Sequence, residues 1–217
     1  MYQIFGTRQF LRIILYLNAV CAVAIGSNPF GLLSNVPYLK VISLSVILVT
    51  ALLTILGQTP LFPKICRLPL VWRWLPDISG SYAVEVLSNW PIVSGRVQGD
   101  TSASTKSLLQ VRQGTAEITA RLFSIRMRFH AVDEYSTSDV VVSAIGRATD
   151  DALPTLSYVF KGHVPVPDPT DSGEFFGAGR IEIPRALKIA ELFGTYWTNR
   201  SWQNGLNTAG RIRLTRV

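Results

Sequence analysis

Cysteine is almost absent from this chain: of 217 residues only Cys21 and Cys66 are cysteines, and residues 77–217 contain none. That excludes a disulfide-stapled C-terminal domain and agrees with a reducing compartment. Histidine is as scarce. His130 and His163 stand 33 positions apart with neither cysteine nor paired carboxylates beside them, so no zinc or iron site is expected. Catalytic signatures are missing too: there is no G-x-S-x-G elbow, no H-E-x-x-H, no phosphate loop and no G-x-G-x-x-G following a strand. Asp150 and Asp151 are adjacent carboxylates, which point apart in a strand or turn, and they read as a solvated turn. The Gly-Ala-Gly at 177–179 falls inside a strand-like segment and reads as a bend or bulge rather than a phosphate cradle. No catalytic residue, metal or resident cofactor is assigned, and enzymatic activity is not expected.

Acidic residues are absent from residues 1–76, which carry Arg8, Arg12, Lys40, Lys64, Arg67 and Arg73. The remainder is nearly balanced, so the net charge of +7 belongs to the N-terminal part. A polynucleotide-binding protein concentrates its cations on a folded face, so no polynucleotide partner is expected. Cations beside apolar runs instead mark a cytoplasmic membrane flank. Residues 41–57, VISLSVILVTALLTILG, contain no charge and nothing more polar than Ser and Thr. With their flanks they match a hydrocarbon core of ~30 Å, and they show no polar face, which favours a membrane span over a buried core helix. Pro60 and Pro63 are expected to stop that helix. Residues 10–25 form a shorter apolar run interrupted by Arg12 and Asn18, read as an uncleaved first span joined to the second by a turn through Ser27, Asn28, Pro29 and Gly31. A cleaved signal peptide is the alternative. The flanking cations put both termini in the cytoplasm and make membrane lipid a partner.

From Asp77 the period changes to two. Tyr82, Val84 and Val86 alternate with Ser81, Ala83 and Glu85, the pattern of a half-buried strand. Similar segments follow at 107–113, 115–123, 125–132, 140–147, 155–161, 175–183, 190–199 and 208–216, separated by turn-formers and without a long amphipathic helix. Such a run of short strands predicts a small antiparallel up-and-down barrel, whose closure removes both sheet edges; an open sandwich is the alternative. The expected division is a two-helix transmembrane hairpin over 1–62, a juxtamembrane linker over 63–76 with Trp72 and Trp74 at headgroup level, and a cytoplasmic β-barrel ligand-sensing domain over 77–217.

A small barrel has room inside for side chains or one small molecule. The segment LFGTYWTNR at 192–200 places Leu192, Gly194, Tyr196, Thr198 and Arg200 on one face. If that face points inward, an aromatic ring, a hydroxyl and a guanidinium line one wall, a set suited to a nucleotide. The alternative is that Tyr196 is ordinary packing and Arg200 escapes to the rim. Arg126, Arg128 and His130 alternate with Ile125, Met127 and Phe129 and are expected on the outer wall, as are Arg211 and Arg213. Trp197 is then an outer-face aromatic, a candidate self-association surface or a residue packed under a loop.

Two short N-terminal spans, a first strand opening ISGSY, the motif L-x-G-x-Y-W-T-x-R at 192–200 and a closing strand at 210–216 together resemble the two-transmembrane, β-strand-rich effectors of bacterial cyclic-oligonucleotide antiphage signalling (CBASS). Members of that family often carry Trp where this chain has Tyr82. The resemblance implies two transmembrane α-helices followed by an all-β, lipocalin-like antiparallel eight-stranded barrel. It also implies that a cyclic dinucleotide is the activating ligand, that activation produces a homo-oligomer in the cell inner membrane, and that the membrane is then disrupted. Tyr196, Thr198 and Arg200 are the implied ligand-binding residues, with Tyr158 and Tyr82 as aromatic wall. A different class of function, a membrane-tethered carrier or scaffold for an apolar ligand or a protein partner, is the alternative.

Overall fold

The computed structural model describes residues 2–27, 37–97, 109–132, 136–147, 152–167 and 171–217. The expected turn between the apolar runs lies mostly outside these, as does the Asp150–Asp151 pair. Helix α1 (Thr7–Gly26) and helix α2 (Tyr38–Gln58) are each long and apolar enough to cross a membrane. Leu15, Tyr16, Val20, Val23, Ile42 and Ile47 are among the large side chains they leave exposed, an apolar surface of the kind that lipid covers. As expected, α2 ends before Pro60, with Thr59 in an extended conformation, and the two prolines then fall in a new element rather than in a continuation of α2. Both fit the start of a further short helix, α3 (Leu61–Cys66), where a first-turn N–H has no intrahelical acceptor to lose. Phe62 and Cys66 of α3 are buried in one cluster with Ile78 and Leu122, so this segment packs as part of the folded body.

The remainder is a closed barrel of eight strands in sequence order, every neighbouring pair antiparallel: β1 (Gly80–Ser88), β2 (Gln110–Ala120), β3 (Ile125–Ala131), β4 (Thr137–Gly146), β5 (Thr155–His163), β6 (Glu174–Glu182), β7 (Glu191–Thr198) and β8 (Ala209–Arg216). The seam between first and last strands closes from Tyr82 opposite Arg216 to Ser88 opposite Gly210, which rules out the open sandwich. Two of the nine expected segments are one strand. Gly114 does not turn the chain but continues β2 opposite Val84 and Ala131, where a Cβ would lie 2.5 Å from the His130 carbonyl oxygen. A short helix, α4 (Trp90–Val97), stands where the sequence suggests none. Ser88 and Asn89 start it, the Ser88 hydroxyl accepting from the Trp90 N–H at 3.2 Å, but Ile92, Val93 and Gly95 give it poor helix propensity.

The interior has two levels. Near the N-terminal end of β1 it is solid hydrocarbon, with Ile78, Ile118, Ile145, Leu156, Ile181, Leu192 and Leu214 all at most 2% exposed. The helices attach at this closed end. The Leu122 N–H in the β2–β3 turn donates to Gly57 O of α2 at 2.8 Å, and Leu122 O accepts from the Tyr2 N–H at 2.9 Å. A Cβ at Gly57 would sit 2.8 Å from the Leu122 side chain, so glycine lets the end of α2 press on the turn.

Candidate functional site

The other level is hollow. A cavity of about 540 Å³ opens at the end of the barrel remote from Leu122 and the helices, lined from the C-terminal parts of β1, β3 and β7 and the N-terminal parts of β2, β4 and β6. Period-two geometry sends the expected face of β7 inward: Leu192 is in the packed level, while Tyr196 and Thr198 line the cavity. Arg200, two residues past the end of β7, lines it as well. Arg126 and Arg128 lie on the outer wall with Arg211 and Arg213, as the alternation required, and Trp197 is 52% exposed beside them. His130 is exposed and borders the mouth.

One wall is a run of aromatic rings. Phe129 on β3 stacks on Tyr158 on β5 at 5.9 Å between centroids, Tyr158 lies 6.0 Å from Phe160, and Phe160 meets Phe175 on β6 edge-on at 6.4 Å. The rings fit because the residues opposite them are glycines. Tyr158 faces Gly179, Phe160 faces Gly177 and Phe175 faces Gly162, and a Cβ at Gly179 would stand 2.4 Å from Cζ of Tyr158. The Gly-Ala-Gly is thus neither bend nor bulge. It is regular strand kept bare so that neighbouring rings can lie over it, and the irregularity in this part of the sheet falls instead between Val140 and Val142 of β4.

Arg200 does not stand open in the mouth. Its guanidinium makes a two-pronged ion pair with the Asp171 carboxylate, whose side chain is 8% exposed, and lies 5.0 Å over the Phe175 ring. The Thr198 hydroxyl is engaged with the Thr208 hydroxyl at 2.9 Å in a buried contact. Burial pushes the Tyr196 phenol up, while the neighbouring Ser88 hydroxyl and the charge of Arg200 oppose the shift. Tyr158 is buried more deeply; desolvation first, and the neighbouring Tyr196 second, push its phenol well above the ordinary range. Both phenols are therefore neutral groups at physiological pH.

Tyr82 does not belong to this wall, contrary to expectation. It is 1% exposed at the closed end, donating to Ile78 O at 2.9 Å and accepting from Arg216 at 2.9 Å, outside the cavity lining. The alternation put it on the correct face of β1 but could not say at which depth. Conversely, Phe129, Phe160 and Phe175 form the wall and Arg112 and Asp171 are lining charges, none of them among the site residues that the sequence suggests. Period two through Tyr158 and Phe160 was the available signal for the rings; Asp171 lies 29 positions from Arg200 and gave none.

No family model matches the sequence. The chain is 31% identical over 182 residues to CD-NTase-associated protein 15 of Escherichia albertii, an alignment covering 83% of this chain and 82% of that protein. With two apolar helices leading into a closed eight-stranded barrel, the chain belongs to the CBASS-associated family of CD-NTase-associated protein 15.

Proposed function

We propose that the chain is a CBASS effector whose cavity binds a cyclic dinucleotide, and that binding drives self-association and disruption of the bacterial inner membrane, ending in abortive infection. The observation that carries this reading is the cavity: about 540 Å³, aromatic along one wall, bordered by cations and opening away from the apolar helices. That volume lies within the range of small-molecule sites, ~300–1,000 Å³. Tyr196, Tyr158 and Phe129 offer π-faces to bases, Ser88 offers a hydroxyl to base edges, Thr198 braces the wall through Thr208, and Arg200 and Arg112 supply positive charge for phosphates. With Asp171 offsetting one of these cations, the described lining suits a compact anion; a polynucleotide needs a basic stripe. The lining charges also fit a carrier of apolar ligands poorly.

In this reading α1 and α2 span the inner membrane, with both termini in the cytoplasm and the flanking Arg and Lys against lipid headgroups. Confinement to a membrane raises the effective concentration of neighbouring copies, so a modest contact, with exposed Trp197 as a candidate, suffices for oligomer formation. The test uses the full chain in phosphatidylethanolamine/phosphatidylglycerol vesicles and a panel of 3′,3′-linked cyclic dinucleotides covering all pairings of A, C, G and U. At least one should raise Tm and release entrapped dye. A panel that moves neither would end the proposal.

A further inference from the structure

The barrel has one weak seam. Where β5 and β6 pair at nine positions, β3 and β4 pair at only three, Arg128 with Asp139, Phe129 with Ser138 and His130 with Thr137, all at the mouth. Below these rungs β4 no longer forms a ladder with β3. The Ser143 hydroxyl reaches across to Ile125 O at 3.1 Å, and the Ile145 N–H is taken by a residue outside the barrel, donating to Oε1 of Gln3 at 3.0 Å. The neighbouring Tyr2 donates its N–H to Leu122 O in the turn that leads into β3, and its ring lies 5.8 Å from Phe123. Consecutive N-terminal residues thus hold opposite sides of the seam. Ile4 between them and α1 is 8% exposed, part of the same core cluster as Ile145 and Leu122.

We infer that residues Tyr2–Phe5 are a clasp across the β3–β4 seam, and that filling the cavity loosens it and so changes how α1 is held. This rests on the ligand-sensing reading above. Phe129, His130, Ser136 and Ser138 line the cavity from the two sides of this seam, so a ligand seated there bears on the rungs that can yield at least cost. Any spreading of those rungs moves β4 relative to β3. The clasp cannot follow both strands: Gln3 goes with Ile145 or Tyr2 stays with Leu122. Beyond the clasp, Gly6 has φ 72° with no neighbour where a Cβ would stand, and α1 starts at Thr7. A backbone site that other residues adopt only under strain therefore separates the clasp from the helix. By linkage, whatever a ligand does to the clasp, weakening the clasp does to the ligand with opposite sign.

The experiment uses the full chain in vesicles and the same cyclic dinucleotide panel, with Tm read in every sample. In an Ile4→Cys variant, maleimide labelling at position 4, followed by peptide mass spectrometry so that Cys21 and Cys66 are counted apart, should be slow alone. It should accelerate about tenfold or more with a cyclic dinucleotide that raises Tm. In the milder Gln3→Ala variant the same nucleotide should bind several-fold tighter and release dye at lower concentration. A raised Tm with unchanged labelling, or unchanged affinity in Gln3→Ala should Ile4→Cys not fold, overturns the clasp and leaves the sensor reading standing. No Tm shift with any nucleotide in the panel ends both.

Discussion

Arg200 and Asp171 meet in a two-pronged ion pair at the mouth of the cavity, so the cation that a phosphate would seek already has a carboxylate on it. A ligand phosphate must share or displace that carboxylate. Asp171→Asn keeps the shape and removes the competing charge, and it should tighten binding of a dianionic cyclic dinucleotide about tenfold, with a steeper loss of affinity as salt rises. Arg200→Ala should weaken binding and also cost stability, on the order of 3–5 kcal/mol, because it strands a buried carboxylate. Titration calorimetry at two salt concentrations, with melting of each variant, checks both. Loss of binding in Asp171→Asn would mean that the carboxylate itself contacts the ligand.

The glycines of β6 should be intolerant of side chains for a reason located on β5. Gly179→Ala places a methyl group 2.4 Å from Tyr158 Cζ, against a ring fixed between Phe129 and Phe160. The expected cost is about 1–3 kcal/mol of stability, together with a displaced aromatic wall and weaker nucleotide binding. Adding Tyr158→Leu should return most of the stability and none of the binding. Thermal melts of the single and double variants decide whether the two positions are coupled.

These two pairings mark where sequence reasoning stops. Periodicity gave the faces: Tyr196 in, Trp197 out, Arg126 and Arg128 out. It could not give depth or register. Tyr82 and Tyr196 both point inward, yet one lies in the packed level and the other in the hollow one, because depth depends on how strands are staggered around the closed barrel. The match of Tyr158 to Gly179 needs the β5–β6 register, and that of Arg200 to Asp171 needs the path of a loop. The long apolar run of α2 was legible because it needs no partner to declare itself. Gln3 and Ile4 precede the first such run and carry no period at all.

Tyr82 should separate stability from ligand binding. Its hydroxyl sits between Ile78 O and Arg216, and Arg216 also donates to Asp77 O at 2.8 Å and Ser79 O at 3.0 Å. Tyr82→Phe leaves those buried partners short of one group, a loss of about 1–3 kcal/mol. The cavity lies at the other end of the barrel, so nucleotide affinity should stay unchanged, whereas Tyr196→Ala should lower it by removing a stacking face worth about 1–3 kcal/mol. A Tyr82→Phe protein that melts like wild type but binds poorly would return Tyr82 to the ligand wall.

The junction between α3 and the barrel should lose stability in alkali through Cys66. This thiol is 1% exposed, and its pKa is pushed from 9.0 up to about 12, first by burial and then by the negative charge of Asp77. The folded chain therefore keeps the proton where the unfolded chain gives it up. Below the ordinary thiol pKa the two states hold the same number of protons and the residue has no effect on the pH dependence. As pH rises from about 9 toward 12 the unfolded state binds fewer protons, and stability falls by up to about 1.4 kcal/mol per pH unit. Tyr82, Tyr158 and Tyr196 add losses of the same sign, but a phenol outside the fold is half-ionised only near pH ~10, so their share below that pH is the smaller one and is common to wild type and a Cys66 variant. Comparing melts of the full chain and Cys66→Ala in detergent between pH 8 and about 9.5 therefore isolates the thiol, and the variant should flatten that part of the profile. An unchanged slope in the variant would show that Cys66 is not held as a protonated thiol in the folded chain.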